Sequence, residues 1–212
     1  MENLRKIYLS IKPQILKKEK EFKSCLLKNP ENKIFAELSF CLLTPQSKAK
    51  ICWRCVENLL KNNLLETGNY YEILQTLSGV RFKYKKAKFI LKAREFFTSK
   101  NGSMEIKKFL IQTKNIHHLR EWLAKSIKGL GLKEASHFLR NVGLGDNLAI
   151  LDIHILRNLK KYKVIKEIPE SLSKKLYYEI EKKMINFSKK IKIPMQHLDM
   201  VFWYIANKEI FK

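Results

Sequence analysis

Ile127-Lys-Gly-Leu-Gly-Leu-Lys133-Glu-Ala-Ser-His-Phe-Leu139 sets two glycines one residue apart, between segments of helical character. The first segment is amphipathic and ends at Lys128, Gly129-Leu130-Gly131 forms a tight turn, and a second helix begins near Leu132. This is the pattern of a helix–hairpin–helix spanning about residues 117–142. Glycine takes positive φ without steric cost and lets the backbone approach a ligand closely. The free N–H groups that open the second helix then face outward, an arrangement suited to phosphate. Gly129, Leu130 and Gly131 are therefore candidate DNA-binding residues. The segment is not a P-loop, because no Gly-Lys-Ser/Thr follows at the required spacing.

Outward from the hairpin, apolar residues recur with helical spacing almost everywhere. Leu4, Ile7, Tyr8 and Ile11 follow the i, i+3, i+4, i+7 rule, and Pro13 then predicts a kink or a restart. Ile34, Leu38, Cys41 and Leu42 form a second stripe that ends at Thr44-Pro45. Ser47 is the expected cap of the next helix, whose buried face is Cys52, Val56, Leu59 and Leu60. Further helices are expected around 70–77, 84–98, 104–112 and 117–127, and Ala135, Phe138, Leu139 and Val142 mark the second hairpin helix. Asp152 is placed to cap a helix through Leu159, and two more cover about 171–187 and 195–208. No stretch alternates with period two for long enough to suggest a sheet, so the fold class is all-α. Val142-Gly-Leu-Gly-Asp-Asn147 is the expected crossover between two helical lobes. One lobe is residues 30–145 with the hairpin; the other is 1–29 plus 146–212, carrying Asp152 and the C-terminal helix. A cleft between lobes is where a substrate would sit.

Lys and Arg number 43 against 20 Asp and Glu, a formal net charge of +23 in 212 residues, which points to a polyanionic partner. Nucleic acid is the commonest, since neutralising phosphates releases counterions. Hydrophobic residues at 45% and aromatics at 11% exclude a disordered basic tail, and 7 Gly with 5 Pro are too few for a many-stranded barrel. No apolar run approaches the ~20 residues of a membrane span, and the N-terminus lacks a secretory apolar stretch. A cytoplasmic, nucleoid-associated protein with no membrane partner is expected.

Of the four cysteines, only Cys52 and Cys55 form a C-x-x-C, and Cys25 and Cys41 stand apart. No second close pair or His pair completes a zinc set, and the spacing does not match an iron–sulfur loop. Buried free thiols, with no metal cluster, are expected.

Lys133 lies in the first turn of the second hairpin helix, and Asp152 follows 19 residues later in Ile150-Leu-Asp-Ile-His154. Taken singly, one is an ordinary helix lysine and the other an N-cap. Together, Gly-x-Gly-x-Lys and Asp-x-His resemble the helix–hairpin–helix superfamily of DNA base-excision glycosylases. Leu42-Leu-Thr-Pro-Gln46-Ser, Gly79-Val-Arg-Phe82 with Lys86-Ala87, Lys133 through Gly143, Leu198-Asp-Met-Val-Phe-Trp203-Tyr and the end at Lys212 narrow this further. As a set they are similar to the type 2, archaeal-type 8-oxoguanine DNA glycosylases, over nearly the whole chain.

The resemblance implies that a base is flipped out of duplex DNA, at a cost of a few kcal/mol. Lys133 then attacks C1′ as a neutral amine, and the Schiff base that forms undergoes β-elimination. Bringing a free lysine from ~10.4 to about 7.5 takes roughly 4 kcal/mol, more than the ~1–2 kcal/mol a helix N-terminus supplies. Lys133 is therefore expected to be largely buried. Asp152 is the second catalytic residue; close to Lys133 it favours the ammonium, so its use lies in stabilising the cationic sugar or relaying protons, and the two are candidates for a resting ion pair.

His154 is implied to contact a phosphate beside the lesion, against the alternative of a first-turn surface histidine. Gln46 is implied to fill the gap left by the flipped base, or else is an ordinary loop residue. Asp199 and Trp203, four apart on one helix face, are implied to meet the base, the indole by stacking; the other reading of Trp203 is a core aromatic. The carboxylate of terminal Lys212 is implied to read the N7 proton that 8-oxoguanine has and guanine lacks, where position alone suggests a frayed end. The basic run Arg81-Phe-Lys83-Tyr-Lys85-Lys86-Ala-Lys88 is either a solvated face or a DNA-backbone contact.

The expected partner is duplex DNA containing 8-oxoguanine, bound by a monomer with no organic cofactor and no catalytic metal; the superfamily admits a monovalent cation on the hairpin carbonyls. Two other readings stand beside this one. One is a non-catalytic helix–hairpin–helix DNA-binding module, and the other a glycosylase for oxidised pyrimidines.

Overall fold

The structure, a computed structural model, describes residues 2–112 and 114–212. Among these there are eleven α-helices and no strand beyond an isolated bridge between Thr98 and Met104, so the all-α expectation holds. No helix among them is long and apolar enough to cross a membrane.

Helix α1 (Glu2–Lys28) passes through Pro13 without restarting. Proline in a helix interior removes a hydrogen bond and costs about 3 kcal/mol. Burial of Leu4, Tyr8, Ile11, Ile15, Phe22 and Cys25 along one continuous face offsets that loss. Helix α2 (Glu31–Leu43) is the central rod of the hairpin lobe, every residue from Ile34 to Leu43 being buried. Helices α3 (Ala49–Lys61), α5 (Lys83–Phe97) and α6 (Ile106–Ile111) pack on it, and α4 (Tyr70–Thr76) packs on α3 and α5. The hairpin pairs α7 (Ile116–Ser126) with α8 (Leu132–Asn141). After the crossover come α9 (Ile153–Lys161), α10 (Lys174–Ile191) and α11 (Met195–Asn207).

Local caps explain four of the helix starts. Asn69 with Glu72 forms a capping box on α4, and Asn115, Asp152 and Ser173 cap α7, α9 and α10 with side-chain oxygens. Ser47 does not cap α3; Lys48 occupies that position without a side-chain bond. The Ser47 hydroxyl instead accepts from the Arg81 N–H at 3.0 Å and from Lys86 Nζ at 3.0 Å.

Two apolar cores result. The first gathers buried residues from Cys25 to Leu148, and the second combines Leu4–Phe22 of α1 with residues from Ala149 to Phe202. The chain passes from one to the other between Leu148 and Ala149, and α1 contributes to both. Behind the crossover a polar clamp joins them. Arg120 of α7, fully buried, donates to the Glu181 carboxylate of α10 at 2.6 and 2.8 Å and to Ser136 Oγ at 3.2 Å. Glu181 also accepts the Ala149 N–H at 2.7 Å, and the Tyr177 hydroxyl donates to the Ala149 carbonyl at 2.6 Å.

Candidate active site

A cleft of about 850 Å³ opens between the cores. One wall is the turn after α2 and the N-terminal half of α8; the other is the segment 150–154, α11 and the C-terminal tail. Lys133, Asp152, His154, Asp199, Trp203, Lys212 and Gln46 all line it. Gln46 and Lys212, 166 positions apart in the chain, thus line one cavity.

The two glycines of the hairpin differ in what holds them there. Gly129 has φ +92°, and a Cβ there would come within 2.3 Å of the Phe89 ring. Gly131 is extended, at φ −92°, so positive φ belongs to Gly129 alone. At Gly131 a Cβ would instead stand 2.9 Å from a Glu134 carboxylate oxygen. That carboxylate accepts the Gly131 N–H at 3.2 Å, so one amide expected to be free is already engaged. The Leu130 side chain is buried in the first core and offers nothing to a ligand; any contact there falls to the backbone.

Lys133 is less dry than expected, its side chain being 25% exposed, because it reaches the open cleft from the first turn of α8. Its ion pair is with Glu134, 2.7 Å away, rather than with Asp152. Glu134, which sequence reasoning passed over, therefore touches both the hairpin amide and the amine. Its position three residues into the helix, where a capping box places Glu, was the available signal. Asp152 accepts the Ile155 N–H at 2.8 Å, so it is a helix cap and a cleft residue at once.

The opposite wall is largely apolar and only partly satisfied. The Trp203 indole meets His154 edge-on at 5.5 Å, and its buried N–H has no hydrogen-bond partner among the described residues. Asp199 pairs with Arg140 at 3.1 Å. Burial pushes the Asp199 carboxyl up to about 6, against the pull of Arg140 and with a further push from Asp152. Asp199 thus meets the cleft as a partner of Arg140 rather than as a free acceptor.

Lys212 is tied down by its side chain. Its ammonium pairs with Glu37 and lies 3.3 Å above the centre of the Trp53 ring. Glu37 in turn accepts from Asn141 at 3.0 Å. Burial, with the cations Arg140 and Lys133 nearby, holds His137 well below the ordinary histidine range, so its ring is neutral. Gln46 stands exposed on the cleft rim, in the left-handed region at φ +55°.

Lys86 departs from both readings of the basic run, since it is 4% exposed and bonded inward. All four thiols are buried, and burial pushes Cys52 up to about 11. Among the described residues, no group of three or more His, Cys, Asp or Glu is arranged to hold a metal ion.

Comparison with known proteins gives a consistent result. A family profile described as 8-oxoguanine DNA glycosylase matches residues 15–193. The chain is 45% identical over 209 residues to the 8-oxoguanine DNA glycosylase/AP lyase of Fusobacterium nucleatum, covering 99% of this chain and 96% of that one. It is 40% identical over 204 residues to the protein of the same name from Methanocaldococcus jannaschii, covering 95% and 93%. The crystal structure of the Methanocaldococcus jannaschii 8-oxoguanine glycosylase/lyase in complex with a 15mer DNA containing 8-oxoguanine superimposes with a TM-score of 0.89 at 35% identity, over 100% of both chains.

Proposed function

The chain belongs to the 8-oxoguanine DNA glycosylase family, and from that membership we propose that it excises 8-oxoguanine from duplex DNA and then cleaves the strand. The observation that carries the chemistry is Lys133, set beside a glycine hairpin in a cleft whose other wall holds Asp152.

In this reading the Lys133 ammonium gives a proton to the Glu134 carboxylate beside it, and the neutral amine so formed donates its lone pair to C1′ of the flipped nucleotide. The C1′–N9 bond breaks and the base leaves with that electron pair, taking up a proton. Opening of the sugar ring gives an iminium ion between Nζ and C1′. Loss of a C2′ proton then expels the 3′ phosphate, which is the lyase step. Asp152, fixed by its bond to the Ile155 N–H, faces the positive charge that develops on the sugar. No step calls for a metal or an organic cofactor.

The surroundings fit this substrate. A net charge of +23 favours a phosphate backbone, and the hairpin and His154 are the candidate contacts to it. The anchoring of Lys212 by Glu37 and Trp53 restrains the terminal residue, favouring its carboxylate as the acceptor for the N7 proton of the lesion. Trp203, which lines the same cleft, is the candidate for stacking on the base. Both walls come from one chain, which supports action as a monomer, in the compartment that holds the chromosome.

Deleting Lys212 tests the base assignment. The expected result is a fall of roughly 10- to 100-fold in 8-oxoguanine excision, the weight of one charged hydrogen bond, with cleavage at a preformed abasic site retained. Equal loss of both activities, or faster release of oxidised pyrimidines than of 8-oxoguanine by the intact protein, would contradict it.

A further inference from the structure

We propose that Lys86 is a positioning residue for Gln46, a buried ammonium that holds the turn after α2 in the shape that sets Gln46 on the cleft rim. The proposal rests on the reading of Gln46 as a DNA contact given above.

Lysine is almost never fully buried unless it is paired. Lys86 is 4% exposed, and none of its hydrogen bonds is to a carboxylate. Its Nζ donates to the carbonyls of Leu43 and Pro45, both at 2.7 Å, and to Ser47 Oγ at 3.0 Å. Three bonds use all the donors an ammonium has. The acceptors fall within five consecutive residues, 43 to 47, and Gln46 is one of the two between them that Lys86 does not bond.

The chemistry of the three acceptors explains why a cation suits this place. Leu43 ends α2, where carbonyls lack helical partners and the helix dipole is negative. The Cys52 thiol also donates to that carbonyl, at 3.2 Å. Ser47 is held from a second direction by the Arg81 N–H. The turn is thus fixed at both ends and against the start of α5.

Gln46 sits inside this frame in a left-handed conformation, at φ +55°, that residues with a Cβ seldom adopt. Such a residue persists when its surroundings over-determine it, and such sites cluster where function requires a set geometry. A purely stabilising clamp would not need a strained, exposed residue at its centre.

A kinetic double-mutant cycle separates positioning from plain stability. Lys86→Met, Gln46→Ala and the double variant are compared in single-turnover excision from 8-oxoguanine duplex. Each single change is expected to slow excision about 10- to 100-fold, the effect of a misplaced contact. The double variant is expected to be no slower than the slower single one, because Lys86 acts through Gln46. Ser47→Ala keeps the two carbonyl bonds and serves where Lys86→Met does not fold; its smaller loss should likewise vanish in the Gln46→Ala background.

Losses that multiply in the double variants would overturn the proposal. So would a Lys86→Met defect beside a silent Gln46→Ala, or a Gln46→Ala defect beside a silent Lys86→Met. The same proteins are also read by 2-aminopurine fluorescence in a duplex with the fluorophore opposite an abasic analogue, which needs no excision. A wild-type protein that releases no 8-oxoguanine would overturn the functional reading, while the fluorescence cycle would still decide the Lys86–Gln46 coupling.

Discussion

Two arginine–carboxylate pairs join the lobes, one behind the crossover and one at the cleft, and they are built differently. Arg120 is wholly buried, both Glu181 oxygens are occupied, and Ser136, Ala149 and Tyr177 complete the network. Arg140 makes a single bond to Asp199, divides its guanidinium with the Asn141 side chain, and lies over the Phe22 ring at 4.7 Å. Beside it, the Trp203 N–H and one His137 nitrogen have no partner among the described residues. The rear pair is the more fully bonded, with Arg120 Nε its one atom lacking a partner among the described residues, and it holds the lobes in register; the front pair is more sparsely bonded beside two unpartnered nitrogens of other side chains, as a surface awaiting a polar ligand should be.

The largest consequence of that difference lies at the rear. Glu181→Ala strands a buried guanidinium, and a loss of about 3–5 kcal/mol is expected in urea unfolding. A loss under 1 kcal/mol would mean that the two pairs are equivalent after all.

The front pair is distinguished by pH. Asp199 titrates near 6 when folded against an ordinary value of 3.8, so between these values the folded state holds a proton that the unfolded chain has shed. Stability from this group is therefore greatest below about pH 4 and declines through about pH 6, by on the order of 2–3 kcal/mol. Asp199→Asn lacks this dependence, and its stability relative to the wild type should rise across that window. Parallel pH curves for the two proteins would contradict the assignment.

Much of this was legible from the chain, and the failures share a cause. The all-α class, the hairpin boundaries and the Asp152 cap rest on signals within a few residues: apolar spacing, a Gly-x-Gly turn, an acid before an apolar run. The restart expected at Pro13 does not occur, because the burial that carries α1 through it is set by a second core drawn from residues beyond 148. Ser47 misled because its partners, Arg81 and Lys86, lie 34 and 39 residues away. Lys86-Ala87 belongs to the set that carries the family resemblance, but nothing in the run of basic residues marks Lys86 as buried; only the position of the end of α2 makes it an inward donor. Lys212 is fixed by Glu37, 175 positions earlier. Local patterns gave the elements, the resemblance to a known family pointed to chemistry at Lys133 and Asp152, and long-range pairing decided which charges are buried.

Borohydride reduction during reaction with an 8-oxoguanine duplex, followed by peptide mapping of the product, tests the role of Lys133 most directly. A covalent DNA adduct on Lys133 is expected, absent in a Lys133→Gln variant that still binds the duplex. An adduct mapped to another residue or retained in Lys133→Gln, or base release with no adduct at all, would contradict it.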